Sequence, residues 1–268
     1  MTAGTFPFPW RGALSEGVLL RRYHRFLADV RLTDGRVVTA HCVNSGTMEG
    51  LVRAGSRVWL LPTPGAHKRL QWTWVMTELG GLRVGTDTTL PNRLVKALLE
   101  ARWLPRLGRY EKVTPEHVHA PGSRVDFRLE GVGLVHDLEV KNCHLVYPDG
   151  RAYFPDSISE RATKHLRTLA SEARRGLRAT VLFVVQREDA RSLRPSRLHD
   201  PAFADAAARA HAAGVRFRAL RARPDDEGLT VLDTIPVELA AYDTTAHVGW
   251  RAALKPWSGW ERPPKTPA

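Results

Sequence analysis

The stretch SRVDFRLEGVGLVHDLEVKN, residues 123–142, decides the fold of this chain. It reads as two strands, Arg124–Leu129 and Leu134–Asn142, turning through Glu130-Gly131-Val132-Gly133. A strand sends alternate side chains to opposite faces, so Asp137, Glu139 and Lys141 share one face and Leu138 and Val140 the other. In the first strand Val125, Phe127 and Leu129 share a face and Asp126 points the opposite way. If the apolar faces of the two strands coincide, Asp126 lies beside Glu139 and Lys141. Two carboxylates and an ammonium then converge above a packed sheet.

Such a trio suits metal-assisted phosphodiester cleavage. Hard carboxylate oxygens of Asp126 and Glu139, helped by the Val140 carbonyl, are the right ligands for Mg²⁺ or Mn²⁺ with open water positions. Lys141 would orient the attacking water or offset charge growing in the transition state. The pattern is short, and solvated charges on an open sheet face are the plain alternative. Three features favour the chemical reading: the hairpin, the helix that follows it, and the residue type itself. Of 40 basic residues 33 are Arg, so a Lys at this position stands out.

Working outward, a helix is expected from about Ser159 to Arg175, capped by Ser157 or Ser159 and stopped at Gly176. Ala162, Leu166, Leu169 and Ala173 form its apolar stripe. Glu160 and Lys164 stand four apart and could meet as a surface pair or serve near phosphate. Ala179–Gln186 is almost entirely apolar, the mark of a strand buried on both faces, and Gln186 sits at its functional end. A second helix, Pro201–Ala213, and a strand, Val215–Leu220, complete the pattern. Upstream, Leu90-Pro91-Asn92 starts a helix on which Leu94, Val95, Leu98 and Leu99 recur.

Residues 19–86 have a different texture. The runs Phe26–Leu32 and Arg36–Cys42 flank Thr33-Asp34-Gly35; Arg57–Leu61 follows; Gln71–Glu78 and Leu82–Val84 flank Gly80-Gly81. Five short strands suggest a small OB-like barrel. Arg57, Lys68, Arg69 and Trp72 interleave cations with aromatics, as surfaces that bind nucleic acid do, although Trp72 and Trp74 share a face and one of them belongs to a core. The expected order is therefore a loose arm at 1–18, an OB-like β-barrel at 19–86, an α/β sheet domain at 87–238, and a Pro/Trp-rich tail at 239–268. Packing on the body and association with a partner are both open to that tail.

The chain of 268 residues is 43% hydrophobic, enough for a buried core, and carries a net charge of +12. The charge favours a polyanion, nucleic acid first. Two cysteines, Cys42 and Cys143, form no ligand spacing and read as reduced thiols. Without a signal-like or membrane-length apolar run, a cytoplasmic protein is expected.

The runs RRYHRFLADV, TAHCVNSGTM, GSRVWL, LPNRLV, SRVDF, LEVKN, FPDSISERATKHL, VLFVVQR and AGV occur in order from about Leu20 to Leu239. Together they resemble the sugar fermentation stimulation protein family. The resemblance implies an N-terminal small OB-like β-barrel followed by a PD-(D/E)XK restriction-endonuclease-like α/β sheet domain. It also implies DNA binding, with RNA open, and places the nuclease-like acidic and lysine residues on Asp126, Glu139 and Lys141. The block that begins at Asn44, and Lys164-His165, match family motifs as well. Ala162 departs from the Gly expected after Glu-Arg. Two functions follow as alternatives: a Mg²⁺-dependent nuclease, or a non-catalytic DNA-binding regulator of sugar-utilisation genes on the same scaffold.

Overall fold

The computed structural model describes residues 4–63, 65, 69–104, 106–120 and 123–262. Lys68, expected among the nucleic-acid contacts, lies outside the described residues. In chain order the elements are β1 (Phe6–Pro9), β2 (Ser15–Tyr23), β3 (Leu27–Leu32), β4 (Val37–His41), β5 (Arg57–Pro62), β6 (Trp72–Leu79), β7 (Leu82–Gly85) and α1 (Leu90–Glu100). There follow β8 (Lys112–Ala120), β9 (Ser123–Gly131), β10 (Leu134–Cys143), β11 (Arg151–Phe154), α2 (Glu160–Arg174), β12 (Arg178–Val185), β13 (Ser192–Pro195) and α3 (Pro201–Ala212). The chain ends with β14 (Arg216–Pro224), β15 (Gly228–Ile235) and α4 (Thr245–Leu254).

Strands β2 to β7 form one sheet in the order β4-β3-β2-β5-β6-β7, and β4 closes on β6 where His41 meets Thr73. This contact closes β2 to β6 into the five-stranded OB barrel, and β7 extends it at the edge of β6. Leu19, Val30, Ala40, Val58, Leu60 and Trp74 fill it. Trp74 is the core residue of the tryptophan pair, and Trp72 packs half-buried against the same cluster.

The loose arm expected at 1–18 is corrected by the structure. Phe6–Pro9 is an edge strand paired antiparallel with Phe6 opposite Val231 and Pro9 opposite Gly228, and β2 already begins at Ser15. Pro7 and Pro9 hide this strand from a sequence reading, yet an edge position is where a sheet tolerates proline.

The second sheet has the order β1-β15-β14-β12-β10-β9-β8, with β10, β12 and β14 parallel. Helix α1 covers one face: Leu94, Leu98 and Leu99 meet Leu138, Val140, Leu182 and Val184. Helices α2 and α3 cover the other, where Leu166, Leu169, Phe203 and Ala207 meet Val181, Phe183 and Val185. Strand β12 is therefore sandwiched, as its unbroken apolar run predicts. Ser159 caps α2 by accepting from the Ala162 N–H, and Asp200 caps α3 by accepting from the Phe203 N–H.

Buried polar contacts fix the barrel to this domain. Glu49 accepts from the Tyr147 hydroxyl at 2.6 Å and lies 2.8 Å from His199 Nε2. Gln186, at the end of β12, is fully buried; it donates to the Asp87 carbonyl and the Asn142 amide oxygen, and its main-chain carbonyl takes the Gly85 N–H. A Cβ on Gly85 would come within 2.4 Å of Gln186 Oε1, so only glycine allows this approach. The tail packs on the body: Tyr242, Trp250 and Leu254 cover Tyr147 and Tyr153, and the Gly259 and Glu261 amides donate to Thr47 and Arg22 carbonyls. Among the described residues no helix is long and apolar enough to cross a membrane.

Candidate active site

The hairpin β9–β10 brings Asp126 and Glu139 together. Its ladder runs through Asp137↔Arg128 and Leu138↔Phe127, so the next position along would oppose Glu139 to Asp126. There the pairing stops. Instead of a main-chain carbonyl, Asp126 Oδ2 takes the Val140 N–H at 2.7 Å, while Oδ1 accepts from Asn92 of α1 at 2.8 Å. This corrects the simple alternation expected for the first strand: Val125 packs in the α2/α3 cluster, whereas Phe127 and Leu129 pack under α1. The strand turns as it leaves the ladder, and the turn aims Asp126 into the gap. In an extended strand one residue's N–H and C=O leave on the same side, so the Val140 carbonyl faces that gap as well.

Glu139 is buried and accepts from Lys141 Nζ and from His165 Nδ1 of α2, the latter at 2.5 Å. Burial pushes its carboxyl up, but the His165 hydrogen bond and the Lys141 charge outweigh it and hold Glu139 below its ordinary value. Asp126 goes the other way. Burial first, and then the charge of Glu139, push it up against the pull of the Val140 N–H, Lys141 and Asn92. Two crowded oxygen donors, one raised by the other's charge, form a set short of positive charge, which fits a hard divalent cation. Among the described residues no three His, Cys, Asp or Glu side chains are arranged to hold a metal. A cation here would thus rest on Asp126, Glu139, the Val140 carbonyl and water.

The trio lines a cleft of about 570 Å³ that the barrel helps to wall. Asn44, Ser45 and Gly46 form that wall and line the cleft together with Asn142, His144 and Asp156. Asp156 anchors the loop by accepting from the Met48 N–H at 3.1 Å and the Thr47 hydroxyl at 3.3 Å. Burial pushes Asp156 up, yet His144 and the Met48 N–H outweigh it and hold the carboxyl at about 2. A Cβ on Gly46 would sit 2.9 Å from Asp156 Oδ1, so the NSG sequence is what lets the loop come this close. Behind the loop, fully buried Arg22 donates to the carbonyls of Asn44, Gly46, Arg25 and Gly259.

The other residues singled out by sequence are dispersed. Arg57 is held by Glu16 and Glu78 and stacks on Trp59, away from the cleft lining. Arg69 is exposed and Trp72 belongs to the barrel wall. Glu160 and Lys164 are exposed and, among the described residues, form no ion pair with each other. The sequence names Asn92 only at a helix start and His165 only within a matched family motif, and gives neither a role in the site. His165 had a signal: it falls three residues after Ala162 and four before Leu169, on the flank of the buried stripe, whereas Lys164 falls off it.

Two family models match this architecture in order: the SfsA N-terminal OB domain over residues 20–86, and the Sugar fermentation stimulation protein RE domain over residues 89–228. The chain belongs to the sugar fermentation stimulation protein family. A family homolog from Geobacter sulfurreducens is 44% identical over 224 residues, 84% of this chain and 96% of that one. One from Methylobacterium nodulans is 43% identical over 239 residues, 88% of this chain and 99% of that one. The structure of Pyrococcus furiosus SfsA in complex with Ca²⁺ superposes with a TM-score of 0.78 at 25% identity, covering 89% of this chain and 99% of that one.

One acidic residue of this SfsA-family hairpin stays out of the cleft. Asp137 is fully buried, takes both Arg128 Nε and Nη2 at 2.8 Å, and abuts Glu172 of α2. Burial, and then the hydrogen bond and charge of Asp137, push Glu172 up to about 7. A raised carboxyl stabilises the fold in its neutral form. That contribution is complete below the ordinary value of 4.5 and is lost as pH rises through about 7. Glu172→Gln keeps a neutral hydrogen-bonding group at every pH. Melting curves should show the variant level with the wild type near pH 4.5 and several degrees above it by about pH 8. Parallel curves for the two proteins would contradict the assignment.

Proposed function

We propose that this chain is a divalent-metal-dependent phosphodiesterase that acts on nucleic acid, DNA in the first place. One observation carries the reading: Asp126 and Glu139 face each other across the broken end of the β9–β10 ladder, with Lys141 and His165 both on Glu139, inside a cleft walled by an OB barrel. The complex of P. furiosus SfsA with Ca²⁺ supports a hard-cation site in the family and thereby Mg²⁺ or Mn²⁺ in this chain.

Asp126, Glu139 and the Val140 carbonyl would hold the ion. Bound there, it would polarise the scissile phosphate and lower the pKa of a water. Glu139 can do so in one orientation because His165 fixes it from α2, and Asp126 because Asn92 and the Val140 N–H fix it from two sides. Lys141 places its ammonium where charge grows on the phosphate and where a water would be oriented. Arg124 and Arg161 line the same cleft and offer guanidinium groups to the flanking phosphates.

The test exposes labelled single-stranded, duplex and flapped DNA, and RNA, to the purified protein with Mg²⁺, Mn²⁺ or EDTA. Cleavage should need the metal and fall about a thousandfold in Glu139→Ala, with nucleic-acid binding kept. Binding without cleavage, identical in the variant, would overturn the enzyme reading and favour a DNA-binding regulator on an inherited nuclease scaffold.

A further inference from the structure

The parallel strands β10, β12 and β14 all start at one edge of the sheet, and that edge is rich in unmatched positive charge. Their other ends, at Asn142, Gln186 and the cleft, face the barrel, so this is the far edge of the molecule from the barrel. Arg178 opens β12 opposite His136, and Arg216 opens β14 opposite Thr180. Arg216 and Arg218 have the same parity as Leu220, which packs under α1, so they point to the α1 face rather than to the face that holds Glu139 and His165. The segment after α1 brings Arg106 to them: Arg216 Nη1 donates to the Arg106 carbonyl at 3.4 Å, and Arg178 Nη1 lies close over Gly108.

Elsewhere on this sheet the strand arginines are paired: Arg124 has Glu116 and Arg223 has Asp225. Arg128 has Asp137, Arg187 has Asp189, Arg194 has Glu238, and Arg221, farther along the same β14, has Asp233. Among the described residues Arg106, Arg178 and Arg216 form no ion pair, and all three are exposed. Crowding is felt there. Burial, and then the charges of Arg106 and Arg216, push Arg218 down, and the charges of Arg216 and Arg178 help push His136 down after its own burial. Like charges gathered without counter-charge destabilise a fold, and a multivalent anion would relieve them.

We infer that Arg106, Arg178 and Arg216 form a second contact for the phosphate backbone, on the opposite face and edge of the sheet domain from the metal cleft. The inference rests on the nucleic-acid part of the proposed function and not on catalysis. His136 and Lys141 are five residues apart on β10, about 17 Å along the strand, with the sheet between the two surfaces. A strand of about 6 nucleotides centred on the metal site extends only about three nucleotides to either side and does not round the sheet edge, whereas a long chain passes round the edge and meets the arginines.

Fluorescence anisotropy in EDTA separates the two surfaces without any cleavage. Arg178→Glu/Arg216→Glu should weaken binding of a ~40-nucleotide single strand or duplex at least about tenfold and flatten its salt dependence by roughly two counterions. Binding of the ~6-nucleotide strand should be unchanged. Arg31→Glu/Arg209→Glu, the same charge change on exposed sites of the barrel and α3, should leave the long substrate near wild type. Arg216→Ala alone should give about half the change in salt slope and melt no lower than the wild type. Equal losses in both double variants, or an unchanged long-substrate affinity in Arg178→Glu/Arg216→Glu, would overturn the inference. Loss of cleavage activity with these binding differences intact would overturn only the enzyme reading.

Discussion

Lys141→Met should lower metal-dependent cleavage by about 10²–10³ while leaving metal affinity and the fold almost untouched. Lys141 and Glu139 are bonded and only slightly exposed, with 14% and 4% of their side-chain surface open to solvent, so the lysine could be read as a mere counter-ion. The geometry separates the two roles. Glu139 has a second donor in His165, so removing the ammonium leaves no buried carboxylate without a partner. The stability loss should then be about 1–2 kcal/mol, short of the roughly 3–5 kcal/mol of a buried pair whose surviving charge has no partner. Catalysis has no such substitute, because among the described residues no other lysine lines the cleft. Single-turnover cleavage at saturating Mn²⁺ reads the first effect and thermal melting the second. Wild-type turnover in Lys141→Met would reduce Lys141 to an ion-pair partner. A loss of activity that follows a loss of fold would do the same.

Arg22→Met should be the most destabilising single change in the barrel. The guanidinium is 1% exposed and gives five hydrogen bonds to four main-chain carbonyls, among them Asn44 and Gly46 of the cleft wall. Each bond from a charged donor contributes about 1.5–3 kcal/mol, and the carbonyls left behind stay buried. Against this, the variant recovers several kcal/mol of guanidinium desolvation, which is the burial that pushes the Arg22 pKa down. The net loss should be about 3 kcal/mol, or a fall in Tm of roughly 6–12 °C. Arg22→Lys should recover little, since a single ammonium cannot span the four carbonyls that the fork reaches. Calorimetric melting checks both. A shift of under about 2 °C in Arg22→Met would show that the carbonyls find other partners.

The residues of the proposed metal site are legible in the sequence because strand alternation is local. The pattern of residues 134–142 places Glu139 and Lys141 on one face, and the register then sets Asp126 beside them. What alternation cannot express is a strand leaving its ladder, so the reversal between Val125 and Phe127 was missed. Helices α1, α2 and α3 were legible from their stripes and caps, and β12 from its apolar run. Strands β1 and β8 were not, because Pro7, Pro9 and Pro115 interrupt them. Both lie at the edges of the sheet, where a missing N–H costs little. Strands β11 and β13, four residues each, form a two-stranded sheet of their own and carry too little pattern to read. The basic residues and Trp72 of the barrel were grouped by composition, and composition does not say which partner a side chain meets. Arg57 meets Glu16 and Glu78 across neighbouring strands. Arg22, in the matched run RRYHRFLADV, carries no sequence mark that sets it apart from the chain's other arginines.

Calorimetric titration of Mn²⁺ and Ca²⁺ into the wild type, Glu139→Gln and Asp126→Asn tests the central claim most directly. One site per chain with sub-millimolar affinity in the wild type, weakened at least about tenfold in both variants while their melting curves stay cooperative, is the result expected of a metal centre built on these two carboxylates. No binding at millimolar metal, or binding that ignores both substitutions, would contradict it.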